Sequence, residues 1–419
     1  MMKPQTLKGF RDFLPEQAKK RQYVINTLKN VFESFGFEPL ETPALEYEEV
    51  LLGKYGEEGD KLMYRFTDNG DRRIALRYDQ TVPLSRVVAQ YGSTSSPLLP
   101  IPFKRYQIQN VWRAENTQKG RFREFLQCDA DIVGTTSPLA DAEVITVAEK
   151  AIQALGFSQF KILINDRTTF AGLPVAAITA VDKLKKIGPE GVINELLGKG
   201  IAKTSQEAYD ILKNIEEKQP LDRLLENFLL LKTLGITEDQ YQYSPTLARG
   251  LDYYTGLIFE IEIDGYTVGS VCGGGRYDKL IGMFSGKDVP AVGFAFGFDR
   301  LMEALEEKSL FPSNLQTATV LVTIFSKDLL DKSVELSSHL RSNNINTELY
   351  LDETSKIEKQ LKYADQKGIP YVVIIGPEEV EKNVVTLKNL KTREQETMNV
   401  EKMIEMLKPV SPTRRINSA

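Results

Sequence analysis

Residues 101–134 read IPFKRYQIQNVWRAENTQKGRFREFLQCDADIVG, and this stretch decides the fold. Apolar and polar side chains alternate from Phe103 to Trp112, which predicts a strand. Residues Arg113–Arg121 are polar and include turn-forming side chains, and a second strand is predicted from Phe122 to Val133. We therefore expect an antiparallel hairpin of two long strands joined by a polar loop.

The predicted hairpin mixes guanidinium groups and carboxylates beside aromatic rings. Guanidinium forks match phosphate oxygens, aromatic faces suit a flat base, and carboxylates with an amide can hold an ammonium group. An ordinary surface hairpin also carries charges, so the hairpin alone leaves a binding role and a plain surface role open. Its charged and amide side chains are Arg113, Glu115, Lys119, Arg121, Arg123, Gln127, Asp129 and Asp131.

Composition limits the class of protein. The 419 residues suffice for about two to four domains, and 42% hydrophobic with 26% charged residues is typical of soluble globular proteins. No apolar run of about 18 residues and no secretory signal occur, and Cys128 and Cys272 form no CxxC pair, so we expect a cytoplasmic protein. His339 is the single histidine, which argues against His-rich metal sites and Ser-His-Asp hydrolases. The net charge of −5 argues against a general nucleic-acid coat protein.

The segment before the hairpin predicts a helix over Glu16–Phe35, a strand over Phe37–Leu51 broken by prolines, and a second hairpin that turns at Asp68–Asp71. Asp79 and Thr81 lie two residues apart, on one face of an extended chain. Thr81 can equally begin a helix, in which case this pair forms a helix cap.

The segment after the hairpin predicts a helix over Ser137–Leu155, a strand over residues 161–166 and a helical region over residues 168–238. A strand is predicted at Leu257–Ile263. The glycines Gly273–Gly275 predict either a flexible turn or close approach of the backbone to a ligand. From residue 318 onward strands alternate with helices and end in a hairpin, which indicates an α/β unit with a mainly parallel sheet.

Several of these stretches resemble the motifs of class II aminoacyl-tRNA synthetases. Arg-x-Glu at Arg113–Glu115 resembles motif 2, the helix and Pro-broken strand before it resemble motif 1, and the glycine-rich strand leading to Arg300 resembles motif 3. The strings KGRFREFLQCDADIVG (119–134), RGLDYY (249–254) and SVCGGGRYDKL (270–280) resemble the histidyl-tRNA synthetase family. This chain has Asp79 where the common bacterial form has Glu, and Ala295 where glycine is frequent.

The resemblance implies an α+β fold, in which a class II antiparallel-sheet catalytic domain with a helical insertion precedes a C-terminal α/β anticodon-binding domain. The implied boundaries are 1–167 and 239–312 for the catalytic domain, 168–238 for the insertion, 318–410 for the anticodon-binding domain and 411–419 for a disordered tail. It also implies a cytoplasmic homodimer.

The activity that the resemblance implies is ATP-dependent activation of L-histidine to histidyl-adenylate and transfer to the 3′ end of histidine tRNA, with release of AMP and diphosphate. No GxxxxGK[ST] string occurs, so an arginine-built site has to bind the ATP. Mg²⁺ is expected with the ATP phosphates, and no protein metal site is predicted. The alternative is the non-catalytic paralogue, a regulatory subunit of ATP phosphoribosyltransferase, which typically lacks the C-terminal domain and catalytic residues such as Arg249.

The resemblance also assigns roles to residues of this chain. The catalytic pair is Arg113 and Arg249. The expected ATP-binding residues are Arg113, Glu115, Arg121, Phe125, Arg249 and Arg300. The expected histidine-binding residues are Asp79, Gln80, Thr81, Arg113, Gln127, Asp131, Arg249, Tyr253, Tyr254 and Tyr277, and the tRNA acceptor end is expected at Gln118 and Lys119. Within the histidine set, Asp79, Thr81 and Gln127 are to hold the ammonium group, and Asp131 with Tyr254 is to read the imidazole nitrogens.

Overall fold

The structure is a computed structural model that describes residues 3–92, 98–118, 120–249, 253–313 and 315–408, without the side chains of residues 56–58. The predicted tail at 411–419 therefore lies outside the described residues. The chain forms two compact units, Met1–Phe311 and Pro312–Ala419. No helix in the described ranges is long and apolar enough to cross a membrane.

The first unit is built on an eight-stranded sheet with the order β1-β5-β6-β11-β10-β9-β7-β8, and a small sheet has the order β2-β4-β3. In the large sheet β1 pairs with β5 and β7 with β8 in parallel, and the other neighbours are antiparallel. The strands are β1 (Glu38–Pro39), β2 (Leu45–Tyr47), β3 (Arg65–Thr67), β4 (Arg73–Leu76), β5 (Phe103–Trp112), β6 (Glu124–Val133), β7 (Phe160–Asp166), β8 (Tyr241–Tyr243), β9 (Leu257–Ile263), β10 (Cys272–Arg276) and β11 (Ala291–Gly297).

The helices of the first unit are α1 (Pro15–Ser34), α2 (Glu48–Leu51), α3 (Gly56–Lys61), α4 (Thr81–Tyr91), α5 (Pro138–Ala154), α6 (Val175–Val181), α7 (Leu184–Gly198), α8 (Ser205–Glu216), α9 (Asp222–Thr233), α10 (Gly282–Ser285) and α11 (Phe298–Glu307), with a 3₁₀ turn at Arg167–Phe170. One apolar core joins α1, α5 and α11 to the large sheet. Leu28 of α1, Ile145 of α5 and Leu301 of α11 are fully buried in it, together with Cys128 and Phe296 of the sheet. Because side chains alternate between the two faces of a strand, this core leaves the opposite face of β6, β10 and β11 for other side chains.

The central hairpin is confirmed. β5 and β6 pair over their whole lengths, from Phe103 opposite Val133 to Trp112 opposite Glu124. The hairpin that turns at Asp68–Asp71 is confirmed as β3 and β4.

The single broken strand predicted over Phe37–Leu51 is wrong. β1 joins the large sheet, β2 joins the small one, and residues Glu48–Leu51 form α2. The reason is a tertiary contact, since the buried Glu48 carboxylate accepts hydrogen bonds from Arg73 Nε at 2.7 Å and Arg65 Nη1 at 3.2 Å.

The region predicted as a helical insertion contains α6 to α9. Helices α6, α7 and α8 bury Ala177, Val192 and Leu212 in a cluster of their own. Helix α9 instead contributes Leu224 and Leu231 to the core of the large sheet. The insertion boundaries 168 and 238 stay a prediction.

The second unit contains a five-stranded sheet with the order β13-β12-β14-β15-β16. Strands β13, β12 and β14 are parallel, whereas the pairs β14-β15 and β15-β16 are antiparallel. The sheet is therefore mixed, and the prediction of a mainly parallel sheet is wrong. The reason is that the predicted terminal hairpin joins the edge of the sheet. Helix α14 was not predicted. The elements are β12 (Val320–Val322), α12 (Leu330–Ser342), β13 (Thr347–Leu349), α13 (Ile357–Lys367), β14 (Tyr371–Ile374), α14 (Pro377–Lys382), β15 (Val385–Asn389), β16 (Gln395–Met398) and α15 (Val400–Leu407), with a 3₁₀ turn at Lys327–Leu329.

Candidate active site

The strand register gathers polar side chains of β6 opposite small residues of β11. Gln127, Asp129 and Asp131 pair with Gly297, Ala295 and Gly293, respectively, on the sheet face that turns away from the apolar core. A Cβ atom at Gly293 would lie 1.9 Å from Asp131 Oδ1, so the glycine leaves the space that this carboxylate occupies. The sheet thus combines buried acids with a lack of opposing side chains, which opens a cavity.

This cavity has a volume of about 410 Å³. Arg113, Arg249 and Arg300, which come from three separate parts of the chain, all line it. The other predicted site residues that line it are Asp79, Thr81, Glu115, Arg121, Phe125, Gln127, Asp131, Tyr253, Tyr254 and Tyr277. Local strand and turn patterns therefore converge on one concave site.

Three predicted site residues do not belong to the described cavity lining. The Gln80 prediction is wrong for the cavity: Gln80 is fully buried just before α4, and its Nε2 donates to the carbonyl of Gln109 at 2.7 Å. Gln80 therefore joins the helix to the hairpin. Gln118 is exposed in the loop between β5 and β6, and its role in tRNA binding stays a prediction. Lys119 lies outside the described residues.

One end of the cavity is cationic. Arg113 Nε donates to the carbonyl of Tyr78 at 3.1 Å, and its guanidinium carbon lies 4.3 Å from the Tyr78 ring centroid and 5.2 Å from that of Phe125. Arg121 lies 3.6 Å from Glu115. Arg300 Nη1 donates to the carbonyl of Ser270 at 3.1 Å. These contacts hold the guanidinium groups in place and leave donors for an anionic ligand.

Arg249 packs against strands β9 and β10 of the large sheet. Its φ of 57° is in the left-handed region, which non-glycine residues rarely adopt. Its Nη1 lies 3.0 Å from Glu260 Oε1, and Glu260 stands opposite Gly273 in the β9-β10 register. A Cβ at Gly273 would lie 1.5 Å from Arg249 Nη1. The glycine run is therefore part of strand β10 and not a flexible turn. Gly273 makes room for the guanidinium of Arg249.

The other end of the cavity presents acceptors. Asp79 Oδ1 accepts from Tyr55 Oη at 2.9 Å and from the backbone N–H of Val82 at 3.1 Å, so Asp79 satisfies one N–H in the first turn of α4, although Gln80 holds the N-cap position. Asp79 Oδ2 and Gln127 Oε1 find no hydrogen-bond donor within the described parts of the chain, and the same holds for Asp129 Oδ1, which lies outside the cavity lining. Burial raises the pKa of Asp79, and it raises the pKa of Asp129 well above its usual range. Buried acceptors without donors are costly, so this end is suited to a ligand that brings N–H groups.

A tyrosine cluster surrounds Asp131. Tyr277 Oη donates to Asp131 Oδ1, and Arg105 Nη2 lies 2.8 Å from Asp131 Oδ2. Burial raises the pKa of Asp131, while Arg105 and the Tyr277 hydrogen bond act in the opposite direction. The ring centroids of Tyr253 and Tyr254 lie 4.9 Å apart, and those of Tyr253 and Tyr277 5.8 Å apart. Tyr277 therefore fixes a carboxylate in addition to lining the cavity.

Sequence reasoning missed three residues that shape the site: Glu260, Arg105 and Tyr55. Asp129 was among the candidate side chains of the hairpin, but its burial without a donor to Oδ1 was not predicted. Strand alternation offered a signal for two of the three missed residues. Arg105 falls on the same face of β5 as Gln107 and Gln109, and Glu260 falls on the side of β9 that faces the cavity. No local signal points to Tyr55, which reaches Asp79 only through the fold.

Comparisons with known proteins agree along nearly the whole chain. The family model described as histidyl-tRNA synthetase matches residues 9–187 and 176–301, and the one described as anticodon binding domain matches residues 319–409. The histidine–tRNA ligase of Cytophaga hutchinsonii is 40% identical over 97% of this chain and 100% of its own length. That of Gloeobacter violaceus is 42% identical over 93% of this chain and 95% of its own length.

Solved structures give the same picture. The crystal structure of histidyl-tRNA synthetase from Nostoc sp. PCC 7120 superposes with a TM-score of 0.83 at 29% identity, covering 97% of this chain and 99% of that one. The apo enzyme of S. aureus gives 0.71 at 26% identity, covering 97% and 100%. A Bacillus halodurans chain titled as an ATP phosphoribosyltransferase regulatory subunit/histidyl-tRNA synthetase gives 0.69 at 24% identity over 86% of this chain, which is a likeness of fold.

Proposed function

The chain belongs to the histidyl-tRNA synthetase family, and on that premise we propose that it is a histidine–tRNA ligase. It activates L-histidine with ATP to histidyl-adenylate and transfers the histidyl group to the 3′ end of histidine tRNA. The observation that carries this proposal is the convergence of Arg113, Arg249 and Arg300 on a cavity whose opposite end presents buried acceptors.

Adenylate formation needs positive charge around the α-phosphorus. The histidine carboxylate oxygen attacks that phosphorus and diphosphate leaves, so negative charge builds on the phosphate oxygens in the transition state. Arg249 and Arg113 supply fixed positive charge there, and preorganised charge is commonly the largest single contribution to catalysis. Arg121 reaches the β- and γ-phosphates, Phe125 stacks on the adenine, and Glu115 meets the adenine end. Arg300 holds the γ-phosphate or covers the other face of the adenine. This arrangement keeps both reactants aligned for displacement.

The amino acid is recognised at the acceptor end. Asp79, Thr81 and Gln127 hold the ammonium group, which supplies the N–H donors that Asp79 Oδ2 and Gln127 Oε1 need. Asp131 and Tyr254 read the imidazole, and Tyr253 and Tyr277 line the pocket. A pocket that hydrogen-bonds both ring nitrogens rejects apolar isosteres by roughly 10⁴ or more.

The partners beyond the cavity follow from family membership. The second unit matches the anticodon-binding domain, which supports binding of the tRNA anticodon arm there. The described residues contain no group of three or more His, Cys, Asp or Glu arranged to hold a metal, so Mg²⁺ is expected to arrive with the ATP phosphates. A homodimer in the cytoplasm stays a prediction.

The regulatory-subunit alternative is not favoured. That paralogue typically lacks the C-terminal domain and loses catalytic residues, whereas this chain retains Arg249 in the cavity and the second unit. Two curated histidine–tRNA ligases also align with at least 93% of this chain.

The proposal is tested by ATP–diphosphate exchange with each amino acid in turn. Exchange is expected with histidine and with no other amino acid, and exchange driven by proline, threonine or glycine would reassign the substrate. Arg249→His is expected to lower exchange by about 10² or more, because one preorganised charge is lost, while the thermal unfolding midpoint stays near that of the wild type. Near-normal exchange by this variant would refute the electrostatic role of Arg249.

A further inference from the structure

An N-terminal strap, defined here as Leu7–Leu14, precedes α1 and contacts two residues that line the cavity, Phe122 and Asp299, without lining it itself. The backbone N–H of Arg123 donates to the carbonyl of Gly9 at 3.0 Å. This bond joins the strap to the end of the hairpin loop, just before β6 begins. Gly9 has a φ of 89°, and a Cβ there would lie 2.7 Å from Arg123 Cγ. The close approach therefore requires glycine.

Arg11 of the strap contacts two elements that line the cavity. Its Nη2 lies 2.7 Å from Asp299 Oδ2, and its guanidinium carbon lies 3.2 Å from the ring centroid of Phe122. Phe122 follows Arg121 at the base of the hairpin loop, and Asp299 precedes Arg300 in the first turn of α11. Arg11 thus joins the neighbours of Arg121 and Arg300, both assigned to ATP.

These contacts are partly shielded from water. The side chain of Arg11 is 27% exposed and that of Asp299 is 10% exposed. An ion pair combined with a cation–π contact at a half-buried site is stronger than an exposed surface pair. Arg21 approaches Asp299 more loosely, at 3.6 Å, so the short contact to this carboxylate is the one made by Arg11.

We propose that Arg11 is a positioning residue for ATP, which acts through Phe122 and Asp299 and not by contact with the nucleotide. This inference rests on the proposed function of the cavity. Arg121 and Arg300 stand on different elements, and one ATP molecule that contacts both requires a fixed separation between them. Arg11 sets that separation by fastening the hairpin loop to the start of α11, since misplacement of a binding group by 1 Å can cost about 10²-fold in rate.

The experiment uses full-length Arg11→Ala and Arg11→Lys, with Lys20→Met as the control. Lys20 Nζ pairs with Glu306 Oε1 at 2.8 Å, which ties α1 to α11 without a contact to the main cavity lining. In histidine-dependent exchange, Arg11→Ala is expected to raise the KM for ATP about tenfold while the KM for histidine stays within about twofold. Arg11→Lys keeps the charge but lacks the planar group. Its KM for ATP should therefore lie between those of the wild type and Arg11→Ala. Lys20→Met should leave both KM values within about twofold.

Specific outcomes overturn the inference. One is a KM for ATP of Arg11→Ala within twofold of the wild type. Another is a parallel rise of both KM values, which indicates general loosening, and a third is an equal effect of Lys20→Met. If the wild type shows no histidine-dependent exchange, the proposed function fails instead. Calorimetric binding of ATP to wild type and Arg11→Ala then still decides the role of Arg11.

Discussion

Replacement of Gly273 by alanine probes whether Arg249 acts from the place where the sheet holds it. Gly273 lies in β10 with a backbone conformation that any residue adopts, so alanine brings no backbone strain. Its Cβ would lie 1.5 Å from Nη1, 2.5 Å from Cζ and 2.8 Å from Nη2 of Arg249. Non-bonded heavy atoms settle about 3.5 Å apart, so the nearest nitrogen has to retreat by roughly 2 Å.

The cost to the fold is small and the cost to catalysis is large. The guanidinium is the far end of a long side chain and can swing away, with loss of its 3.0 Å contact to Glu260. Removal of a glycine from a strand interior recovers about 0.5–1 kcal/mol, which partly offsets that loss. A displaced charge donor costs about 10²–10³ in kcat, equivalent to about 3–4 kcal/mol. We therefore expect Gly273→Ala to fold and to lose exchange by that factor.

The assay is histidine-dependent ATP–diphosphate exchange together with the thermal unfolding midpoint. Gly256→Ala, just ahead of β9, is the control, because the nearest atoms to a Cβ there are those of the Arg276 side chain at an ordinary 3.4–3.8 Å, and Gly256 does not line the cavity. The control should retain exchange within about threefold, since it forces no group to move. The reasoning is refuted if Gly273→Ala keeps near-normal exchange, or if Gly256→Ala loses as much.

Three further predictions concern other parts of the site and the chain. Asp131→Asn should raise the KM for histidine about 10- to 100-fold without a comparable change for ATP, because a charged hydrogen-bond acceptor is lost; equal rises for both substrates would contradict this. Asp129→Asn should raise the unfolding midpoint at pH 8 and not at pH 4. Burial raises the pKa of Asp129 in the folded state, so the stability that its carboxyl contributes is complete below the ordinary Asp pKa of about 4 and is lost as the pH rises from there toward the raised folded-state pKa; a pH-independent gain would contradict this. A fragment that ends at Phe311 should keep histidine-dependent exchange and charge tRNA less efficiently by about tenfold or more, because only the second unit matches the anticodon-binding domain; undiminished charging would contradict this.

Most of the fold followed from local patterns. The bounds of β5, of β9 and nearly of α1 were predicted because alternation and helical periodicity over seven or more residues are strong signals. The short helices α2 and α14 were missed, since four to six residues carry too little periodicity. Helix α9 was placed in the insertion, although Leu224 and Leu231 pack in the core of the large sheet.

The site divides in the same way. The arginines, Asp79, Gln127 and Asp131 were predicted because the strings that contain them resemble a known family. Gln80 was misjudged, because a position between two site residues says nothing about which way its side chain points once a helix begins at Thr81. Strand alternation offered a signal for Glu260 and Arg105, but the residues opposite them, Gly273 and Asp131, were set only by the pairing of the strands.

The sequence by itself determined the central hairpin of two long strands and, through strings that resemble a known family, predicted which side chains would bind a triphosphate and an imidazole. Only the tertiary structure decided that Arg249 lies over Gly273 against Glu260, and that Tyr277 holds Asp131. The physical reason is that side-chain alternation is local, whereas the partner opposite each residue is set by strand register across tens to hundreds of residues of chain.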